Sequence, residues 1–326
     1  MNTMKWLIRR EFWENKGSLF WAPIIAGALM VALVGATTVW AVSSGGIARG
    51  TMHLEGQQID LANVYATMPP EKKNMIIRAL SSTYLVASFP LFLMLAVVSF
   101  FYCLGALYDE RRDRSILFWK SLPLSDRSTV LSKMATVLCL APLITIAVAT
   151  VTSLALLLIG SMVLASKGIN MVGPLLSNPA LYLTPLQVLA LLPVYVLWAL
   201  PTIGYLFMVS AWARSKVFLW AVGVPVMTVA VIAWTNFLAG GGTSLRWFVE
   251  NVLFRGLGGL IPGAWLGLDS VDTHLIVQVG HKTIDMSGLV AQSYKTLLTP
   301  EMWIGAAAGA AMIVAAIRLR RWKDEG

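Results

Sequence analysis

Charge is the scarcest property of this sequence. Asp, Glu, Lys and Arg make up 13% of its 326 residues, about half of the roughly 25% found in soluble domains. The scarcity is local as well as global, for no charged residue occurs between Lys167 and Arg214. With 57% hydrophobic residues, the chain reads as a protein whose solvent is the bilayer. Cysteine is scarce too. Cys103 and Cys139 both fall inside apolar runs, which argues against a disulfide framework and against a cysteine metal site. They read as small buried apolar residues. The three histidines, His53, His274 and His281, stand in loops without ligand spacing. Gly is nowhere followed by Lys, so the phosphate-cradling G-x-x-x-x-G-K-[ST] loop is missing and the chain cannot hydrolyse ATP by that route. Serine–histidine and paired-carboxylate constellations are not discernible. The net charge of +9 does not point to nucleic acid, because the basic residues gather at the ends of apolar segments.

What is present is a series of long apolar runs. They predict an all-α integral membrane protein forming one transmembrane domain over 1–326, with six spans at about 19–42, 83–107, 134–165, 185–211, 217–238 and 302–317. Residues 1–18 predict an interfacial helix. Met4, Leu7, Ile8 and Phe12 form its apolar stripe, and Lys5, Arg9, Arg10, Glu11 and Glu14 take the other face. The run that follows is too long for a signal-peptide core and reads as the first span, anchored by Trp21 and Trp40. Between the first two spans, 43–82 is polar and mixed, and Pro69-Pro70-Glu71 marks a helix start. Ser43-Ser44-Gly45-Gly46 faintly resembles the nucleotide-sensing motif of ABC ATPases, but it falls in this segment and reads as loop. Pro193 and Pro201 predict kinks in the fourth span.

The segment 239–299 is the longest interruption. It opens on Gly240-Gly241-Gly242. Its first half is apolar and glycine-rich, and predicts a membrane-surface or re-entrant helical pair whose irregular backbone protein must cover. Its second half predicts a small folded cap, in which Asp269, Asp272 and Asp285 read as solvated acids before they read as a cation site. Thr299-Pro300-Glu301 predicts N-cap, N1 and N2 of the last span. Gly305 and Gly309 make a G-x-x-x-G pattern, which suits close helix packing either within one subunit or across a dimer.

Six spans place both termini on one side. Sixteen of the 25 Lys and Arg residues then share that side with the 108–133 loop, and the other nine are spread over the longer opposite segments. The positive-inside rule makes the termini and that loop cytosolic, in the cytoplasmic membrane. No charged group or histidine falls in the middle of any span, which weighs against an ion-coupled carrier.

The densest charge lies in 108–133, YDERRDRSILFWKSLPLSDRSTVLSK. Asp109, Glu110, Arg111, Arg112, Asp113 and Arg114 come in succession. Ile116, Leu117, Phe118, Trp119 and Leu122 follow as a short apolar patch, with Lys120 inside it. Pro123 stops that helix, and Ser125 is placed to cap the next. The residues alone describe a charged amphipathic loop lying across the membrane surface. The pattern D-E-R-x-D-x-S-I-x-F-W-K-S-L-P-x-S between the second and third spans resembles the permease subunits of bacterial type-2 ABC exporters. Over the rest of the chain the resemblance is one of hydropathy layout.

That resemblance implies a coupling element, carried by Asp109, Glu110, Arg111, Arg112, Arg114, Phe118, Trp119 and Lys120, that docks on a separate ATPase. It implies two ATPase copies holding ATP and Mg, a second permease copy or paralogue, and lipid neighbours. This chain would be non-catalytic and carry no cofactor. The expected cargo is amphipathic or hydrophobic. Two alternatives stay open: an ATP-independent carrier or channel, and a membrane scaffold or maturation factor that uses an ATPase.

The topology has a direct test. In sealed cells, an impermeant thiol reagent is expected to label His53→Cys and His281→Cys but not Ser115→Cys or Asp324→Cys. Labelling at Ser115→Cys reverses the orientation.

Overall fold

The computed structural model describes residues 3–43, 51–54, 57–114, 125–239, 245–267, 277–278 and 283–322. Six helical runs within it are long and apolar enough to cross a membrane: Gly17–Ala41, Pro70–Arg112, Asp126–Ser166, Pro179–Trp212, Leu219–Leu238 and Pro300–Trp322. The protein is a helical, multi-pass membrane protein. Two small antiparallel strand pairs, Thr51–Leu54 with Gln57–Asp60 and Val277–Gln278 with Thr283–Ile284, are the strands among the described residues.

The helices extend past the apolar runs that announced them. Pro70–Thr83 and Asp126–Ala135 carry charge and amphipathic pattern, yet they lead directly into spans 2 and 3. Ser125 caps the second of these, its hydroxyl oxygen accepting from the Ser128 N–H at 3.1 Å. Asn178 does the same for span 4 by accepting from the Ala180 N–H at 3.0 Å. At the last span, Thr299 instead turns its hydroxyl back to donate to the Thr296 carbonyl at 2.7 Å.

Proline sets the local irregularities. Wide π-type turns at Gly17–Trp21, Thr136–Leu140 and Leu219–Gly223 each end one residue before an X-Pro step, at Pro23, Pro142 and Pro225. A tight 3-10 turn at Tyr84–Ser88 stands in the same relation to Pro90. Proline has no N–H to give the carbonyl four residues back, and its ring collides with that carbonyl. The turn therefore widens or tightens around the unpaired group. In two of the wide turns the next N–H reaches five residues back, from Ala22 to the Gly17 carbonyl and from Ala141 to the Thr136 carbonyl. In span 4 the break comes at Leu191, between Pro179–Ala190 and Leu192–Trp212, two residues before Pro193, whereas Pro201 stays inside the second helix.

Spans 4 and 6 form the closest pair, and they enclose most of the core, including Ile203, Leu206, Phe207, Met302, Ile313 and Ala316. Two glycines allow the contact. A Cβ on Gly309 would lie 2.5 Å from the Leu200 carbonyl group, and Gly204 faces the Gly309 backbone. The G-x-x-x-G pattern thus serves packing within the subunit. Spans 1 and 3 approach at Gly27, which faces the Thr152 side chain. Span 5 packs least: within Leu219–Leu238 only Ala221 is buried.

The segment 245–267 is a chain of short helical turns, Leu245–Phe248, Val249–Phe254, Arg255–Gly258 and Ala264–Gly267. Its first three turns contain no buried residue, whereas Leu260 and Trp265 in its later part are buried against the protein. Arg255 lies over the Trp198 ring at 4.8 Å and donates to the Glu301 carbonyl at 2.5 Å. Thr202 donates to the Arg255 carbonyl at 2.8 Å, and the Trp265 indole donates to Ser293 Oγ at 2.9 Å. Gly305 makes room for the Arg255 guanidinium. Of the second half of the interruption, Asp285 is described as the cap of Met286–Lys295, accepting from the Ser287 N–H at 2.9 Å; Asp269 and Asp272 lie outside the described residues.

Gly309→Leu is expected to force spans 4 and 6 apart and to cost on the order of 1–3 kcal/mol or more through overpacking. Gly160→Leu, at a helix position with nothing within 4 Å of an added Cβ, is expected to be silent. Thermal unfolding of the purified protein in detergent compares the two, and equal shifts contradict the intrasubunit assignment.

Candidate functional site

Four stretches far apart in sequence carry charge to one place at one end of the bundle. The N-terminal helix Thr3–Glu14 brings Arg10 and Glu11, and the end of span 2 brings Glu110. The start of span 3 brings Asp126 and Lys133, and the end of span 6 brings Arg320. Glu11, Lys133 and Arg320 are 0%, 4% and 3% exposed. Burial of this kind requires pairing, because an ion removed from water without a partner costs several kcal/mol.

The pairing is continuous. Lys133 Nζ sits 3.0 Å from Glu11 Oε1 and 3.1 Å from Glu110 Oε1. Arg320 reaches Glu110 Oε2 at 2.6 Å with Nη1 and Asp126 Oδ1 at 3.1 Å with Nε. Arg10 closes the other side, with Nη2 at 2.6 Å from Glu11 and Nε at 3.2 Å from Glu14. The Tyr102 hydroxyl donates to Glu11 Oε2 at 3.0 Å. Arg10, Lys133 and Arg320 thus balance Glu11, Glu110 and Asp126. Burial raises the Glu14 pKa at the edge of this group, and the Arg10 charge opposes that rise.

Local sequence explains how each side chain arrives. Leu7 and Glu11, one helical turn apart, share the face of the N-terminal helix that packs on Asp126–Ala135, and both are fully buried. Lys133 lies seven residues after Asp126 on the same face, so one helix presents an acid to Arg320 and an amine to Glu11. The expected membrane stripe of the N-terminal helix divides accordingly. Leu7 turns into the protein, whereas Met4, Ile8 and Phe12 remain half-buried. Glu11, expected on the polar face, is instead the most deeply buried acid of the cluster.

The proposed coupling residues separate into two groups. Glu110 and Arg111 point inward. Arg111 Nη2 donates to the Ser210 carbonyl at 2.5 Å and the Ala213 carbonyl at 3.0 Å. Ser210 Oγ in turn accepts from the Leu107 and Tyr108 N–H groups, at 3.1 and 3.0 Å, and donates to the Leu104 carbonyl. The end of span 2 is therefore fastened to the end of span 4. Asp109, Arg112 and Arg114 are exposed. Arg112 lies 3.0 Å from Asp113 and 3.7 Å from Asp109, pairs of the weak surface kind. Arg114 leaves the helix with φ 56°, in the left-handed region. Phe118, Trp119 and Lys120 lie outside the described residues, as does Pro123.

Arg320 has a particular place in this arrangement. Glu110 precedes the 115–124 stretch and Asp126 follows it, and a single guanidinium holds both. The base of the loop is closed by one side chain from the last span. Sequence reasoning treated Arg320 and Lys133 as positive-inside charges and missed their role. The available signal was an acid, Glu11, one turn from Leu7 on an otherwise apolar face, and a lone lysine at the mouth of an apolar span.

The cluster is not arranged for proton transfer or metal binding. Each carboxylate faces a cation, and no group of three His, Cys, Asp or Glu side chains able to hold a metal occurs among the described residues. Its geometry ties helices together. Neither the sequence nor the structure matches any family model, curated protein or solved structure.

Lys133→Met leaves Glu11 and Glu110 buried side by side with too little positive charge. It is expected to cost about 3–5 kcal/mol, the usual penalty for breaking a buried pair. Adding Glu11→Gln restores the balance and is expected to recover part of that loss. Arg112→Ala, at an exposed side chain, is expected to leave the unfolding temperature unchanged. Thermal unfolding in detergent ranks the three.

Proposed function

We propose that the chain is the membrane-spanning permease subunit of an ATP-binding cassette exporter, with the 108–133 loop as the element that docks on a separate ATPase. The observation that carries this reading is the clamp at the loop's base. A push on a loop held only by flexible ends is dissipated. Here the two feet are joined through Arg320 to span 6, through Lys133 and Glu11 to the N-terminal helix, and through Arg111 to the end of span 4. Force applied at the loop therefore reaches three further helical elements together. A buried, hydrogen-bonded ion network suits that task, because it transmits displacement with little give and has discrete arrangements.

The division of the loop residues supports the same reading. Glu110 and Arg111 are occupied inside the subunit, which leaves Asp109, Arg112 and Arg114 on the surface for a partner. The distribution of basic residues supports a cytosolic position for this end of the bundle, where an ATPase with its ATP and Mg is available. Two permeases and two ATPases would form the working unit. An amphipathic or hydrophobic cargo would pass between the permeases as the ATPases close.

Docking and transmission separate by mutation. Phe118→Ala with Trp119→Ala is expected to insert and fold normally and to weaken ATPase co-purification about 30-fold, the equivalent of about 2 kcal/mol lost from an aromatic anchor. Glu110→Gln is expected to retain the ATPase and to lose transport-stimulated ATP hydrolysis. Normal binding and normal coupling in the double alanine variant return the loop to a positive-inside anchor.

A further inference from the structure

At the end of the bundle opposite the charge cluster, two adjoining cavities follow one face of span 2. The first, of about 900 Å³, is lined by Glu71, Asn74, Arg78 and Ser82 of span 2, by the facing turns of span 4 and by Asp285. The second, of about 300 Å³, continues along the same helix past Leu85, Phe89 and Phe92, and is roofed by Trp265 and Leu266. Ser82 and Met286 belong to both walls. Both volumes fall in the range of ligand sites, about 300–1,000 Å³.

Polarity changes in one direction along this path. Charge and amide groups end at Arg78, a hydroxyl follows at Ser82, and the remaining wall is almost wholly apolar. From Arg78 to Phe92 the helix rises about 20 Å. Glu71, Asn74, Arg78 and Gln187 all line the first cavity, and none has a hydrogen-bonding or ionic partner among the described residues. Hydrogen bonds from Ser287 hold the Asp285 carboxyl below its ordinary pKa. The first cavity therefore offers one cation, Arg78, and two anions, Glu71 and Asp285.

We propose that this paired cavity binds a single-chain amphiphile with a zwitterionic head group. Its anionic group faces Arg78, whose planar fork suits phosphate or carboxylate. Its cationic group faces Asp285 and Glu71, and its alkyl chain lies along Leu85, Phe89 and Phe92. The second cavity has room for an alkyl chain. The charge pattern selects for a head bearing both signs, since a purely anionic head meets two carboxylates and a purely cationic one meets Arg78.

The test uses the full chain in nonionic detergent and a lysophosphocholine carrying a diazirine near the end of its alkyl chain. Photolabelled peptides are expected to concentrate on residues 85–95, 262–266 and 286–293, and unlabelled lysophosphocholine is expected to compete. Arg78→Glu should reduce labelling about tenfold. Val86→Trp, which fills the second cavity from a half-exposed position, should do the same with an unchanged gel-filtration profile. The same chain on an uncharged sugar head should label these segments at least tenfold less. An endogenous amphiphile that co-purifies and resists exchange identifies the occupant as a resident lipid, and ready exchange with the probe identifies a ligand taken up from the membrane. Labelling spread evenly over the lipid-facing sides of spans 1 and 5, or unaffected by both variants, overturns the site. Equal labelling by the uncharged probe overturns the head-group assignment. No ATPase is present, so the result stands apart from the coupling assignment.

Discussion

Everything at the loop-bearing end of this protein depends on keeping six charges paired out of water. Glu11, Glu110 and Asp126 are held by Arg10, Lys133 and Arg320, and three of the six side chains have almost no solvent contact. Such a network gains little net stability over an apolar core of the same volume. What it supplies is specificity, since only one relative placement of the N-terminal helix and spans 2, 3 and 6 satisfies every charge. The cost of any other placement is a buried, unpaired ion. The same penalty resists separation of these elements.

The rest of the bundle is held by a different logic. In lipid, apolar side chains gain nothing by leaving one hydrocarbon environment for another, so close packing and hydrogen bonds must bring helices together. The structure answers with small residues at the contacts. Gly204 against Gly309 joins spans 4 and 6, Gly27 against Thr152 joins spans 1 and 3, and Ser210 bonds the end of span 2 to span 4. Span 5, with a single buried residue, exposes Val226, Met227, Val231, Trp234 and Phe237. In water that surface would drive aggregation, and in hydrocarbon it costs nothing.

Proline and arginine shape the two ends of this framework. Pro23, Pro90, Pro142 and Pro225 each disturb a turn near the start of an apolar run, so a carbonyl is released without ending the span. Arg255 does the opposite. It takes the irregular 245–267 segment and fastens it to Trp198 and to the first turn of span 6. Both devices let non-ideal backbone exist beside lipid only where protein satisfies it.

The sequence by itself determined the helical membrane class, the six spans, the cap at Ser125 and the division between charged ends and apolar centres. Those features are local: a run of about twenty apolar residues, a serine before a helix, or a proline at its start acts through neighbours in the chain. The ends of the spans were legible only in part. Amphipathic turns such as Asp126–Ala135 dilute the hydropathy that marks a span without interrupting its hydrogen bonding. Within the candidate site, Glu110 and Arg111 stood out as part of a charge run, but nothing local distinguished them from Asp109 and Arg112. Tertiary structure alone decided which of these charges are buried. It brought Glu11 to Lys133 across 122 residues and Arg320 to Glu110 across 210. A charge is expelled from hydrocarbon unless an opposite one meets it there, and only the fold determines where the two meet.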